Sequence, residues 1–208
     1  MAPVTALLMA AGQSTRFGSN KLLSRVNGHP LIQHSLSALK AVLGHQILVV
    51  LGHDAEHLIP LLGDTPFLIA PEYQKGLGHS IATGVSALAA DTNAVLIALA
   101  DQVGITEQNY CAMVDRYLTD GHPVCARYNN GLGIPAIFPK PLFPRLMMPF
   151  GDKGAGVWLA ALPGLNKIEM PGAALDIDTP DDLLRFPPTP PQSRTLVSRF
   201  QPGRKLWR

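Results

Sequence analysis

Four short apolar runs, at residues 4–10, 46–51, 67–70 and 94–99, alternate with stretches in which apolar residues recur at helical spacing. This alternation constrains the fold more than any other feature of the chain. A strand that is apolar along its whole length is buried on both faces, and that requires helices on both sides of the sheet. The pattern therefore predicts an α/β protein, a three-layer α/β/α arrangement of Rossmann-like type around a mainly parallel sheet. Between the first two runs, Ile32, Leu36, Leu39 and Leu43 mark one helix face, with Pro30 where a first helical turn accepts proline. Further helices are expected over 54–62, 80–90 and 106–119, and a strand over 124–128. The later third is interrupted by Pro135, Pro139, Pro141, Pro144 and Pro149. There 134–138 reads as a strand, 154–162 as a short helix and 175–177 as a last strand. Thr179, Pro180, Asp181 and Asp182 make a helix start, with a hydroxyl cap, proline in the first turn and acids at the positive end of the dipole. This helix is expected to stop at Phe186.

With 208 residues, 47% of them hydrophobic and 15% charged, the chain can bury a core as one domain over 1–186. Pro187, Pro188, Pro190 and Pro191 deny backbone donors and the helical path to the residues beyond them, so 187–208 is expected to be a disordered, basic tail. The net charge of +2 falls to −3 once Arg194, Arg199, Arg204, Lys205 and Arg208 of that tail are set aside. The body thus lacks the basicity of a nucleic-acid binder, and any phosphate site must be local. Cys111 and Cys125 are too few for a disulfide scaffold and too isolated for a zinc cluster, which suits a reducing cytoplasm. The apolar opening has no basic residue before it and runs straight into Gly12, so it reads as a strand rather than a secretory leader. No apolar run is long enough to span a membrane.

Immediately after the first strand comes Ala10-Ala11-Gly12-Gln13-Ser14-Thr15-Arg16-Phe17-Gly18-Ser19-Asn20-Lys21-Leu22-Leu23. Ala10, Ala11 and Gly12 have little or no side chain, so a base and triphosphate can approach backbone N–H groups closely. Arg16 supplies a fixed fork of donors and Lys21 a compact mobile charge, a pairing suited to a triphosphate. Five residues separate Gly12 from Gly18, and no Ser or Thr follows Lys21, which excludes a P-loop. The dinucleotide G-x-G-x-x-G is absent too, which counts against an NAD-dependent oxidoreductase. The run Ala98-Leu99-Ala100-Asp101-Gln102 ends a strand in an acid, where a carboxylate can hold magnesium against phosphate oxygens. Asp101 is the candidate metal ligand.

Taken in order, the small-residue loop, Arg16, Gly18 and Lys21 with its leucines resemble the nucleotidyltransferase superfamily, the MobA-like NTP transferases. Similar segments are Pro71 to Ser80, Gly131 to Phe138, Phe150 to Ala155 and Asp176 to Leu183, so the resemblance runs from Thr5 to about Phe186. The Ala10-Ala11-Gly12 form of the loop is most similar to the molybdenum-cofactor cytidylyltransferase branch. That resemblance implies transfer of CMP from CTP to molybdopterin, with Mg2+ and with release of pyrophosphate. It implies Lys21, Arg16 and Asp101 as catalytic residues. Ala10, Ala11, Gly12, Ser14, Gly76 and Ser80 would join Arg16 and Lys21 against the nucleotide, although the place of Ser80 at the start of an expected helix favours a cap. Gly133, Pro135, Gly151 and Asp152 are candidates for the acceptor, and Asp178 for a second metal ligand. The sequence departs from the family at Val103, where proline is common, and at Ala70, where asparagine is common. Two rivals share the pocket: transfer to a sugar phosphate or other phosphorylated alcohol, and a catalytically weak nucleotide-binding chaperone of a molybdoenzyme.

Two weaker patterns carry less. His53 and His57 have metal spacing on a helix but lack a third ligand, so they read as a solvated helix start. Ser37 and Lys40 fit S-x-x-K but lie on an amphipathic helix without companion motifs.

Overall fold

A computed structural model describes residues 4–148, 154–175, 177 and 179–184. Strand β1 (Val4–Ala10) leads through a long loop to a minimal hairpin, β2 (Arg25–Val26) and β3 (His29–Pro30), and then to helix α1 (Leu31–Leu43). Next come β4 (Ile47–Leu51), the single turn α2 (Ala55–Leu58), β5 (Phe67–Ile69), α3 (Leu77–Ser86) and β6 (Ala94–Leu99). The second half runs α4 (Glu107–Asp120), β7 (Val124–Tyr128), β8 (Gly131–Pro139), α5 (Phe143–Leu146), α6 (Gly154–Ala160), β9 (Asn166–Glu169) and α7 (Pro180–Leu184).

Seven strands form one sheet in the order β5-β4-β1-β6-β8-β7-β9. Only β8 runs against its neighbours, pairing antiparallel with both β6 and β7. Every other pair is parallel, as the alternation of runs and helices predicts. Successive side chains of β1 enter opposite layers, because the strand period is two. Ala6, Leu8 and Ala10 join a core with Leu31, Leu36 and Leu39 of α1 and Tyr110 and Met113 of α4. Leu7 and Met9 join the other, with Ile81 and Val85 of α3 and Leu159 of α6. Thr106 and Asn109 form a reciprocal capping box at the start of α4, and Gly121 ends it in a left-handed conformation.

The sheet order also locates a cleft. From β1 the chain crosses to β4 and β5 on one side, then returns to place β6 on the other, so β1 and β6 flank the point where the winding reverses. Ligands of open α/β sheets collect beyond the carboxyl ends of strands at such a point. The register brings these ends level, with Ala10 opposite Leu51 and Met9 opposite Leu99.

Several boundaries differ from expectation for identifiable reasons. The helix expected over 54–62 is one α-turn continued by a 3-10 turn, Ile59–Leu61, where Pro60 has no N–H to give. Helix α3 starts at Leu77 rather than Ser80, after Gly76 at φ 109°, and stops at Ser86. Pro30 sits just outside the first turn, as the cap residue of α1. The hairpin of β2 and β3 turns at Asn27 and Gly28, both with positive φ, a two-residue turn whose sequence favours a hairpin. Among the described residues the last strand is β9 rather than the one expected over 175–177, of which Asp176 lies outside the described residues. Strand β9 alternates exposed and half-buried residues at the sheet edge, so it has no apolar run to betray it. Pro171–Ala174 form a 3-10 turn, and neither Leu175 nor Ile177 is in a strand.

Both cysteines are free. Among the described residues no helix is long and apolar enough to cross a membrane. Gly151, Asp152 and Asp178, and the tail over 187–208, lie outside the described residues.

Candidate active site

Three chain segments leave the sheet side by side: Ala11 and Gly12 from β1, Gly52 from β4, and Ala100 and Asp101 from β6. Their approach is close enough to dictate a residue type. A β-carbon added at Gly52 would sit 2.7 Å from the Ala11 carbonyl oxygen and 2.7 Å from Cβ of Tyr73. Glycine here lets the loops meet without a side chain between them.

Beside them lies a cavity of about 400 Å3, lined by Ala11, Gly12, Ser14, Tyr73, Ser80 and Asp101, together with Met9 and Leu99. Gly76 and Leu77 close it at the start of α3. Ser80 is not a helix cap: it lies in the body of α3, nearly fully buried, and lines the cavity. Ala70 is wholly buried and gives its backbone N–H to the Leu51 carbonyl, so the departure from the family pattern there does not reach the cavity wall. Tyr73 and Gln74 line that side instead. Neither stands out in the sequence, because neither residue type marks a pocket by spacing.

The loop from Gly12 to Leu23 crosses the strand ends and is tied down at successive points. Ser14 adopts a positive φ of 51°, and its Oγ accepts from the Lys21 backbone N–H at 3.4 Å. Buried Asn20 caps the 3-10 turn Lys21–Leu23, its Oδ1 accepting from the Leu22 N–H at 3.1 Å. From that turn the Lys21 Nζ reaches 2.7 Å from Asp101 Oδ2, with side-chain exposures of only 13% and 21%. The other carboxylate oxygen, Asp101 Oδ1, is buried with no hydrogen-bond partner among the described residues. A carboxylate oxygen kept from water in this way is suited to a cation.

Arg16 is exposed on the same loop and is not part of the cavity lining. Gly133 and Pro135 lie on β8, beside β6, and do not line it either; Pro135 is buried and follows a cis peptide bond from Ile134. Gln102 ties this side to the site. It is 1% exposed, and its Nε2 donates to the Ile134 carbonyl at 3.1 Å and the Ala173 carbonyl at 3.0 Å. Its place after Asp101 is visible in the sequence, but its two distant partners are not.

The histidine pair separates. His53 stands beside the Tyr73 ring, with centroids 6.4 Å apart. His57 turns to Asp54, and Asp54, Glu56 and His57 are the one group of three potential metal ligands among the described residues. Two of its three members are exposed, it lies outside the cavity lining, and Asp54 and His57 already bond each other. That bond holds the Asp54 carboxyl below its ordinary value, helped by Asn20 against the effect of burial, and it lifts the His57 imidazole above its own.

The cavity lies over the carboxyl ends of a parallel sheet, where open α/β folds bind their ligands, and is lined by the small-residue loop and by Asp101; Lys21 reaches it only through its pairing with Asp101 and is not itself in the lining. The chain belongs to the MobA-like NTP transferase domain family, which it matches over residues 6–166. Among curated proteins it is 29% identical over 117 residues to the bifunctional protein GlmU of Streptococcus equi subsp. zooepidemicus. That match covers 55% of this chain but only 25% of the relative's length. The crystal structure of Rv0371c from Mycobacterium tuberculosis H37Rv superposes with a TM-score of 0.74 at 23% identity, over 88% of this chain and 96% of that one. The same protein in complex with manganese superposes at 0.68 with 22% identity, over 88% and 97%. Molybdopterin-guanine dinucleotide biosynthesis protein A from Archaeoglobus fulgidus has a TM-score of 0.62 at 15% identity, over 87% of this chain and 95% of that one. These structures establish the shared fold.

Proposed function

We propose that this enzyme transfers CMP from CTP to molybdopterin, releasing pyrophosphate, in the cytoplasm. The observation that carries the reading is the convergence of Lys21 and Asp101 beside the loop at Ala11 and Gly12. The choice of base and acceptor is supported by the Ala10-Ala11-Gly12 form of the loop.

An acceptor phosphate oxygen attacks the α-phosphorus in line, a new P–O bond forms, and the bond to the bridging α–β oxygen breaks. No general base is needed, because the attacking phosphate is already ionised. Backbone N–H groups of Ala11 and Gly12 face the phosphates, and the open space beside Gly12 permits close approach. Lys21 has three donors, so it can keep its bond to Asp101 while it neutralises charge on the triphosphate. Arg16 adds a second positive group from the loop's outer side. Asp101, through its unpaired Oδ1, would hold Mg2+, and Asp178 is proposed as a second ligand. When bound, such an ion would supply positive charge to the phosphate oxygens. Gly76 and Ser80 face the nucleoside, and Gly133, Pro135, Gly151 and Asp152 are assigned to the acceptor side.

The test is incubation with each of four nucleoside triphosphates, magnesium, and either molybdopterin or a sugar 1-phosphate, reading pyrophosphate. The expected result is release with CTP and molybdopterin above every other combination. Preference for another base or for the sugar phosphate would reassign the substrate. Nucleotide binding without release in any combination would leave a chaperone of a molybdoenzyme in place of an enzyme.

A further inference from the structure

We propose that Asp54, from outside the nucleotide cavity, is a positioning residue for Lys21, acting through the side chain of Asn20; the proposal rests on the role given to Lys21 above. Asp54 occupies the cap position of α2, where an aspartate ordinarily accepts from the first-turn N–H groups of its own helix. It makes no such bond. Its backbone is left-handed, at φ 59° and ψ 34°, and its two carboxylate oxygens go elsewhere. Oδ2 accepts from Asn20 Nδ2 at 3.2 Å, and Oδ1 meets His57 Nδ1.

Asn20 is 7% exposed, so its amide must be satisfied inside the protein. One end accepts from the Leu22 N–H and the other donates to Asp54. The orientation has one solution, because reversing the amide would set its oxygen against the carboxylate and its NH2 against the Leu22 N–H. Asp54 therefore fixes which way Asn20 points. Asn20 in turn caps the turn whose first residue is Lys21. Lysine carries its charge on a flexible four-carbon stem, so the place of Nζ depends on how firmly the base of that stem is held. The route runs from the carboxyl end of β4 to the loop after β1, and it does not pass through the cavity.

The test uses the full chain and reads Lys21 directly. Lysine acetylation by acetic anhydride is monitored by mass spectrometry, with exposed Lys75 as internal reference. Asp54→Gly removes the carboxylate at no backbone cost, since glycine accepts the left-handed conformation. It is expected to raise the Lys21 rate about threefold relative to Lys75, as a loosened amine gains access. Asp54→Asn still offers an acceptor oxygen to Asn20 and is expected to restore the wild-type rate. Asn20→Asp, which sets two carboxylates face to face, should match Asp54→Gly, so either route gives an answer if one variant folds poorly. In pyrophosphate release, Asp54→Gly should lower kcat about tenfold with KM for the triphosphate within about twofold, as misplacement of a group that acts in the transition state does. An unchanged Lys21 acetylation rate in both Asp54→Gly and Asn20→Asp, or failure of Asp54→Asn to restore it, overturns the proposal. Wild-type turnover in Lys21→Ala would instead overturn the role of Lys21, while the acetylation result would still decide whether Asp54 positions it.

Discussion

Lys21 Nζ lies 2.7 Å from Asp101 Oδ2, although one residue follows β1 and the other follows β6. The pair exists only because β1 and β6 are neighbours in register, so it reports the topology and the site together. Asp101→Asn keeps an acceptor for Lys21 but removes the charge, and Lys21→Ala removes the cation. Each is expected to lower pyrophosphate release at least about a hundredfold, the scale of one lost transition-state contact of about 3 kcal/mol. Steady-state turnover of the purified variants checks this, and near-normal rates would remove the residue concerned from the mechanism.

Gly52→Ala should damage stability and the site at once. The new methyl would meet the Ala11 carbonyl and the Tyr73 side chain, and both residues bound the cavity. The expected cost is about 1–3 kcal/mol, the range for overpacking, accompanied by weaker nucleotide binding. Gly12→Ala is the contrast, since a β-carbon there meets nothing within 4 Å. It should leave thermal stability nearly unchanged while hindering the approach of phosphate. Thermal melts with and without nucleotide separate the two.

Gln102→Leu removes the donor shared by two carbonyls, those of Ile134 and Ala173. A buried carbonyl left without its partner costs about 1–3 kcal/mol. Urea unfolding should show a lower midpoint at unchanged slope, and an unchanged midpoint would mean that water or the backbone replaces the amide.

How much of the fold and site is legible in the sequence depends on which contacts are local. Strands β1, β6 and β7 are readable to the residue, and for β1 and β6 the reason is that a strand buried on both faces is an uninterrupted apolar run. Strand β9 is not, because an edge strand with alternating exposure looks like a loop. Lys21 and Asp101 are recognisable as candidates by residue type and by position after a strand. Their pairing, like the links from Gln102 to Ala173 and from Asn20 to Asp54, depends on packing between distant segments that no local pattern records. Ser80 reads as a cap because the true start of α3 depends on the backbone of Gly76, which the identity of glycine alone does not reveal.

The Asp54–His57 pair gives a pH signature. The His57 imidazole is raised above 6.5 by Asp54, so its contribution to stability is complete below 6.5 and lost as pH rises through the folded value. The Asp54 carboxyl is lowered below 3.8, so its contribution is complete above 3.8 and lost as pH falls through its folded value. The pair therefore stabilises most between these limits. In NMR titrations the His57 midpoint should lie above 6.5 and return toward it in Asp54→Asn. An identical midpoint in both proteins would show that the bond does not form in solution.

The most direct test is a crystal structure with a non-hydrolysable CTP analogue and manganese, read by anomalous scattering. The expected density places the metal about 2 Å from an Asp101 carboxylate oxygen, with the α-phosphate between Lys21 and the Ala11–Gly12 backbone. Triphosphate and metal bound away from Lys21 and Asp101 would contradict the assignment of this site.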